Sequence, residues 1–487
     1  MASTANGPAA GVRPLLLLEL NEVPWRLVDR AIESASGSAR YPSLAQFFRS
    51  ARTFTTQSFD QGELSPWVTW PSFHRGMPNT EHGIANLGQD VATFRGVPLW
   101  EEYRRRGLTV GVCGSLQSWP PRDPGPGGFY IPDTFAHDAA CIPQHLEPLQ
   151  RFNLAMVAKN GLVVRDEPLP RNELVALVPS LLRAGIRPRT YARVLAQLLS
   201  ERVDRSRLAR RPAFQAALFW DVFLKLYSAD TPPALATFFT NHVASVMHRY
   251  WADYFPEDFP GRRPGPHAET MHFALQLADA MFADALRLQA RNPEIVLVVA
   301  SSMGQGPVHR DGHEGFHVSV VDVPALMGAM GVDAGSFTPL LAMVPQISVE
   351  IASTTVRAKL VDALRNARTA SGAEPFDVSE KGASLTITAH TPTKRDWDAG
   401  GFYAHASDAD ARVGRGGTLV PWERAGIRAF PMDAGTAYHV PEGILAWRGR
   451  DISAADTREP VAAHHVKSML MELAGLDGVR NSSRDAA

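Results

Sequence analysis

Cysteine is nearly absent from this chain: Cys113 and Cys141 are the two in 487 residues. Two cysteines cannot make a disulfide framework, nor alone a thiolate metal site. Long apolar runs are missing too. The longest early one, Leu15–Leu18, reaches Leu20 only across Glu19, far short of the ~20 residues that cross a bilayer. The first thirteen residues hold one Arg and no hydrophobic block, so no secretory leader is expected there. Nor is there an excess of charge: 49 Lys plus Arg stand against 50 Asp plus Glu, a formal net charge of −1. That balance gives no support for nucleic acid or an anionic membrane as the main partner. No internal repeat is visible. These absences leave a cytoplasmic, reducing compartment as the expectation, with neither nucleic acid nor membrane as partner.

What is present is ordinary globular composition, 45% hydrophobic and 20% charged, which excludes a mainly disordered chain. Pro14–Leu20 reads as a buried parallel strand cut off by Asn21-Glu22. Helical spacing follows at Trp25–Ser34 and Pro42–Arg49, then a strand within Gly107–Gly114. Leu235–Phe239 and Glu294–Ala300 read as further strands, separated by a long helix at His267–Ala290. This alternation predicts an α/β fold with a mainly parallel central sheet flanked by helices. Residues 145–230, with Leu, Val and Ala at helical spacing and many arginines, read as a helical cap insertion. Residues 345–392 read as a small inserted α/β subdomain. The core is then expected in three parts, 14–144, 231–344 and 393–477, with residues 1–13 and 478–487 as loose ends.

In open parallel sheets, ligands bind beyond the carboxyl ends of the strands. Three predicted strands end in polar residues: Asn21-Glu22, Thr240-Asn241-His242 and Ser301-Ser302. A fourth segment, Thr69 to Gly76, should open a helix, where a hydroxyl can cap the helix or face an anion. Any one of these is most simply a cap or turn. Four together at strand ends favour a site.

Ser65–Ile84, SPWVTWPSFHRGMPNTEHGI, resembles the nucleophile region of the alkaline phosphatase superfamily, in its type I phosphodiesterase/nucleotide pyrophosphatase branch. The matching positions are Thr69, Pro71, Gly76, Pro78, His82, Gly83 and Ile84. Four further segments fall in the family's order. Leu17–Trp25 lies where the family carries a metal-binding Asp-Gly, Asn241–Trp251 on its Asp-x-x-x-His segment, Val299–Gly304 on its Asp-His-Gly segment, and Gly435–Ala446 on its late His-x-Pro-x-Gly-Ile-Leu segment. The resemblance implies a two-metal hydrolase, usually zinc-dependent, with Thr69 as nucleophile. The departures are as informative. Asn21 replaces the first Asp, Ala244 the second, and Ser302 and Met303 the Asp-His pair, so that His248 and His439 remain of the six ligands. Alanine cannot ligate, and a thioether is a poor zinc ligand.

The resemblance therefore implies a hydrolase or transferase acting on a phosphoester, phosphodiester or related anionic ester at an altered metal site. The alternative is an inactive member that binds a phosphorylated or sulfated ligand. Thr69 is the expected nucleophile, with Ser72 behind it. Asn21, His74, Asn241 and Ser302 are the expected substrate contacts. His248 and His439 are the expected metal ligands, with Glu22 and His242 as further candidates. Zinc is the expected divalent metal, at reduced occupancy or an altered site, and no organic cofactor is expected.

His313-Glu314-Gly315-Phe316-His317 also fits the H-E-x-x-H pattern of zinc proteases. That chemistry needs a helix. Gly312 and Gly315 weaken one by roughly 1 kcal/mol each, and Val318-Ser319-Val320-Val321 prefers extended backbone. The stretch is expected to be loop running into strand. The Arg-rich 183–211 stretch reads as a solvated helix face that, in a cap, could guide an anionic substrate.

Overall fold

The computed structural model describes residues 11–33, 35–162, 183–309, 315–340, 342–343, 345–404, 417–431 and 435–476. Eight strands build the main sheet: β1 (Leu15–Leu20), β2 (Arg52–Gln57), β3 (Val110–Cys113), β4 (Phe129–Ile131), β5 (Leu235–Thr240), β6 (Val296–Ala300), β7 (Glu442–Arg448) and β8 (Ala455–Ala462). Their order is β8-β2-β7-β6-β1-β5-β3-β4. β7 runs antiparallel to both its neighbours. Every other pairing is parallel. This is the mainly parallel α/β sheet that the alternation predicts.

β1 lies at the centre, between β5 and β6. Successive side chains point to opposite faces of a strand. Leu16, Leu18 and Leu20 therefore join one apolar layer with Val243, Met247, Met271, Phe282 and Trp220. Leu15 and Leu17 join the other, with Trp70, Phe73, Trp100 and Leu470. Burial on both faces explains why β1, β5 and β6 read as continuous apolar runs.

The described part of 145–230 is helical, and its last helix, Arg211–Leu226, presses Phe219, Trp220, Val222 and Phe223 into the first of these layers. That helix belongs to the wall of the sheet. A second apolar core gathers residues from Val318 to Ile427 around the antiparallel strands Thr338–Leu340, Gln346–Glu350, Phe376–Lys381 and Ser384–Ala389. This unit reaches well beyond the 345–392 expected for it, because Val318, Val320, Phe402 and Trp422 complete its packing. Residues 310–314, including His313 and Glu314, lie outside the described residues. His317 lies in the strand Phe316–Val320, opposite Phe430.

Candidate active site

β1, β5 and β6 are parallel neighbours, so their carboxyl ends emerge side by side. Asn21 and Glu22 follow β1, Asn241 follows β5, and Ser301 and Ser302 follow β6. The helix Pro66–Arg75 runs beside them and carries Thr69 and Trp70. The antiparallel pair Gly304–Pro307 and Ala437–Val440 sets His439 opposite Gln305. His248 comes from the helix His242–Tyr254.

Glu22 is the hub of these residues. It is buried and its φ is 56°, in the left-handed region where glycine is at ease and other residues are strained. Its Oε1 accepts from Asn21 Nδ2 at 2.6 Å. Its Oε2 lies 2.8 Å from His248 Nε2 and 3.4 Å from His439 Nε2, and accepts from Gln305 Nε2 as well. Burial pushes this carboxyl's pKa up, but the charges and hydrogen bonds of His248 and His439 outweigh it and hold it well below the usual carboxylate range.

The donors and acceptors around Glu22 fix the remaining orientations. Trp70 Nε1–H can only donate, and it meets Asn21 Oδ1 at 2.9 Å. The Asn21 amide must therefore turn its two N–H groups to Glu22 and to Asn241 Oδ1, the latter at 2.7 Å. An aspartate at 21 would instead set two carboxylates in contact. His248 Nδ1 faces the Ala437 carbonyl at 3.1 Å, and His439 Nδ1 faces the Leu64 carbonyl at 2.6 Å. Carbonyls only accept, so both Nδ1 atoms carry hydrogen. Both Nε2 atoms then point lone pairs at one carboxylate unless each binds a further proton. The cluster requires positive charge: protons on the imidazoles, or a cation among them. Carbonyls that accept from the far ring nitrogen orient metal-ligating imidazoles in the same way. The three donor atoms lie within 4.8 Å of one another, a spacing that suits tetrahedral coordination with one position left open. His248 is the most accessible of the three, its side chain 31% exposed against 9% for His439.

Thr69 and Ser302 are fully buried, and their hydroxyl oxygens meet at 2.7 Å. Asn21, Asn241, Thr69, Ser302, His248, His439 and Glu22 are thus brought to one end of the sheet, joined through Trp70. Three other candidates are not. His242 points away: Thr240 Oγ1 meets its Nδ1 at 2.7 Å and the Ala274 carbonyl meets its Nε2 at 3.2 Å, so neither nitrogen is free for metal. His74 turns beneath the helix, where Nε2 meets Glu19 Oε1 at 2.8 Å and the ring packs against Trp70 and Trp100. Its Nε2 is spent on Glu19, so the ring faces away from the Glu22 cluster. Ser72 is engaged elsewhere. The Ile84 N–H donates to His82 Nδ1 at 3.0 Å, so His82 Nε2 carries hydrogen and gives it to Ser72 at 2.9 Å. Ser72 in turn donates to Asp60 at 2.6 Å. His82 thus cannot take the proton that a nucleophilic Ser72 would have to lose.

Gln305 is the residue that sequence reasoning missed. It braces Glu22 and the Ala244 carbonyl, and its only signal was its place three residues after Ser302, where the family motif has already ended.

No protein-family model matches this chain, and no curated protein does. Among solved structures it is similar to murine ectonucleotide pyrophosphatase/phosphodiesterase 5, with 10% identity, a TM-score of 0.41 and 96% of each chain covered. An inactive variant of that murine protein in complex with AMP matches equally, with 10% identity, a TM-score of 0.41 and 96% of each chain. The human ectonucleotide pyrophosphatase/phosphodiesterase 5 matches at 9% identity, with a TM-score of 0.41 and 96% of each chain. A likeness this distant does not identify the chain, and the side chains themselves must carry any functional reading.

Proposed function

We propose that this chain is a hydrolase or transferase acting on a phosphoester, phosphodiester or related anionic ester, at a centre formed for one divalent cation, zinc foremost. One observation carries the reading: two Nε2 atoms, their Nδ1–H groups fixed on main-chain carbonyls, converge on a single buried carboxylate oxygen. Two His and one Glu are a donor set found at catalytic zinc with one position open. When bound, such a cation lowers the pKa of a hydroxyl or water and neutralises charge on the transferring group. Glu22, His248 and His439 would hold it, and Asn21 and Gln305 orient the carboxylate. The ester class rests on the order of the sequence segments that meet at this end of the sheet.

Thr69 is the nucleophile in this reading. Its Oγ1 forms a bond to phosphorus as the bond to the leaving ester oxygen breaks, the Thr69 proton passes to that departing oxygen, and water then cleaves the Thr69 oxygen–phosphorus bond and restores the hydroxyl. Ser302 holds the hydroxyl in place. Asn241 is exposed and spends its Oδ1 on Asn21, which leaves its Nδ2 to donate to an anionic oxygen. The full burial of Thr69 and Ser302 favours a second reading, ligand binding without turnover. The extended backbone at His317 gives no support to a protease.

Elemental analysis of the purified chain, with turnover of a chromogenic phosphodiester, tests both readings. About one divalent cation per chain is expected in the wild type, and Glu22→Gln should lower its affinity about tenfold or more. Thr69→Ala should keep the cation and lose diester cleavage. Cation binding unchanged in Glu22→Gln would sink the centre. A cation without turnover of any ester would promote the binding reading.

A further inference from the structure

The helix Pro188–Val203 is built inside out. Its buried residues are polar: Thr190, Gln197 and Glu201. Gln197 Nε2 donates to Glu201 Oε1 at 2.7 Å and to the Arg207 carbonyl at 2.6 Å. The other Glu201 oxygen takes Arg211 at 2.7 Å. These bonds fix the helix's rotation, because rolling it would orphan two buried polar side chains, Gln197 and Glu201. The outer face is apolar. Leu195 is 62% exposed, Leu198 46%, Leu199 62% and Val203 92%. Ala192 and Ala196 are exposed on the same side. Leu195, Leu199 and Val203 follow one another at a spacing of four, which aligns them along one stripe. Of the eight large apolar side chains exposed in the described structure, four lie on this helix, so the exposure is a patch rather than scatter.

The charge around the patch is mainly positive. Residues 183–211 contain nine arginines, no lysine and two carboxylates, Glu201 and Asp204. Both carboxylates are committed, to Arg211 and Arg207. Arg193, Arg202 and Arg205 are exposed beside the leucines. The excess is local, since the whole chain carries a net −1. It is therefore invisible in the overall balance that argues against a membrane.

We propose that this face docks on an anionic lipid surface. The leucines enter the headgroup–acyl boundary, and Arg193, Arg202 and Arg205 meet lipid phosphates. Charge complementarity selects this occupant. A second copy packed through a two-fold axis would bring Arg193 and Arg202 of both chains together, and like charges oppose that. An amphipathic helix with leucines on one side and arginines around them suits the plane of a membrane interface. Arg202, which lies within the stripe, can extend its guanidinium outward while its stem stays among the leucines. No described helix is long and apolar enough to cross a membrane, and this mode of binding needs none.

Co-sedimentation of the full chain with vesicles tests the proposal. Vesicles of phosphatidylcholine alone are compared with vesicles containing about one-third phosphatidylserine, at low and high salt. Binding to the anionic vesicles should exceed binding to the neutral ones by about tenfold and fall with salt. The double variant Leu198→Gln/Leu199→Gln should lose about tenfold in binding with an unchanged melting temperature, since both side chains already face solvent. Arg193→Glu/Arg202→Glu should lose the preference for anionic vesicles. Three results each overturn it: no binding to anionic vesicles, full binding by the leucine variant, or a wild-type dimer that the leucine variant dissociates.

Discussion

His242 and Glu22 are both buried at the site end of the sheet, and burial settles their chemistry in different ways. Among the described residues no opposite charge meets His242. Desolvation, only partly offset by the bond to the Ala274 carbonyl, lowers its pKa from 6.5 to about 4. The folded pKa therefore lies below the unfolded one. The neutral ring's contribution to stability is complete above pH 6.5 and is lost as pH falls towards 4, a difference of roughly 3 kcal/mol. His242→Gln keeps an N–H for the Ala274 carbonyl and removes the titration. Its unfolding free energy, measured in urea at several pH values, should fall less steeply between pH 6.5 and 4 than that of the wild type. Parallel slopes for the two proteins would show that the ring titrates normally. Glu22 instead finds partners enough to stay ionised, and they hold it in a left-handed conformation that costs about 1–3 kcal/mol. Asn21-Glu22 after an apolar run already marks a strand end in the sequence. Nothing in the sequence shows that the glutamate, rather than its neighbour, would be the hub, because that follows from a backbone angle and from partners more than 200 residues away.

At the scale of elements, the ladder Gly304–Pro307 against Ala437–Val440 carries both Gln305 and His439. It sits where it does because Gly304 has no side chain: a Cβ there would lie 2.1 Å from the Glu442 carbonyl oxygen. Gly304→Ala should push the ladder away from β7 and shift His439 off Glu22. The expected outcome is a loss of divalent-cation affinity of about tenfold or more by calorimetry, with a stability loss of about 1–3 kcal/mol. Unchanged affinity with lowered stability would show that the ladder does not set the site. The strands legible in the sequence include those buried almost throughout, β1, β3, β5 and β6. β2 (RTFTTQ) and β8 (ADTREPVA) are polar and partly exposed, so no hydrophobic run betrays them. The final helix begins only at Val466, because β8 occupies the residues up to Ala462.

The whole molecule has two separate apolar systems, the layers on the main sheet and the core drawn from Val318 to Ile427. Contacts between them include polar ones such as Asn86 Nδ2 to Ser379 Oγ at 3.2 Å. Leu385 is fully buried in the second core. Leu385→Ala should cost about 2–5 kcal/mol locally. Hydrogen exchange should then speed up in the strands of 346–389 and stay unchanged in β1, β5 and β6. Acceleration throughout would mean that the two cores unfold as one unit.

The sequence by itself determined the parallel core and the end of the sheet where polar residues gather. A strand buried on both faces must be apolar along its length, and it must turn polar where it leaves the core. Tertiary structure alone decided which polar residues act together. Glu22, His248 and His439 come from three distant stretches of chain and meet at one oxygen. His242 and His74, as promising in the sequence, are turned to Ala274 and Glu19. A side chain's partner depends on the direction in which its backbone points it and on what packs opposite, and neither is written in the local run of residues.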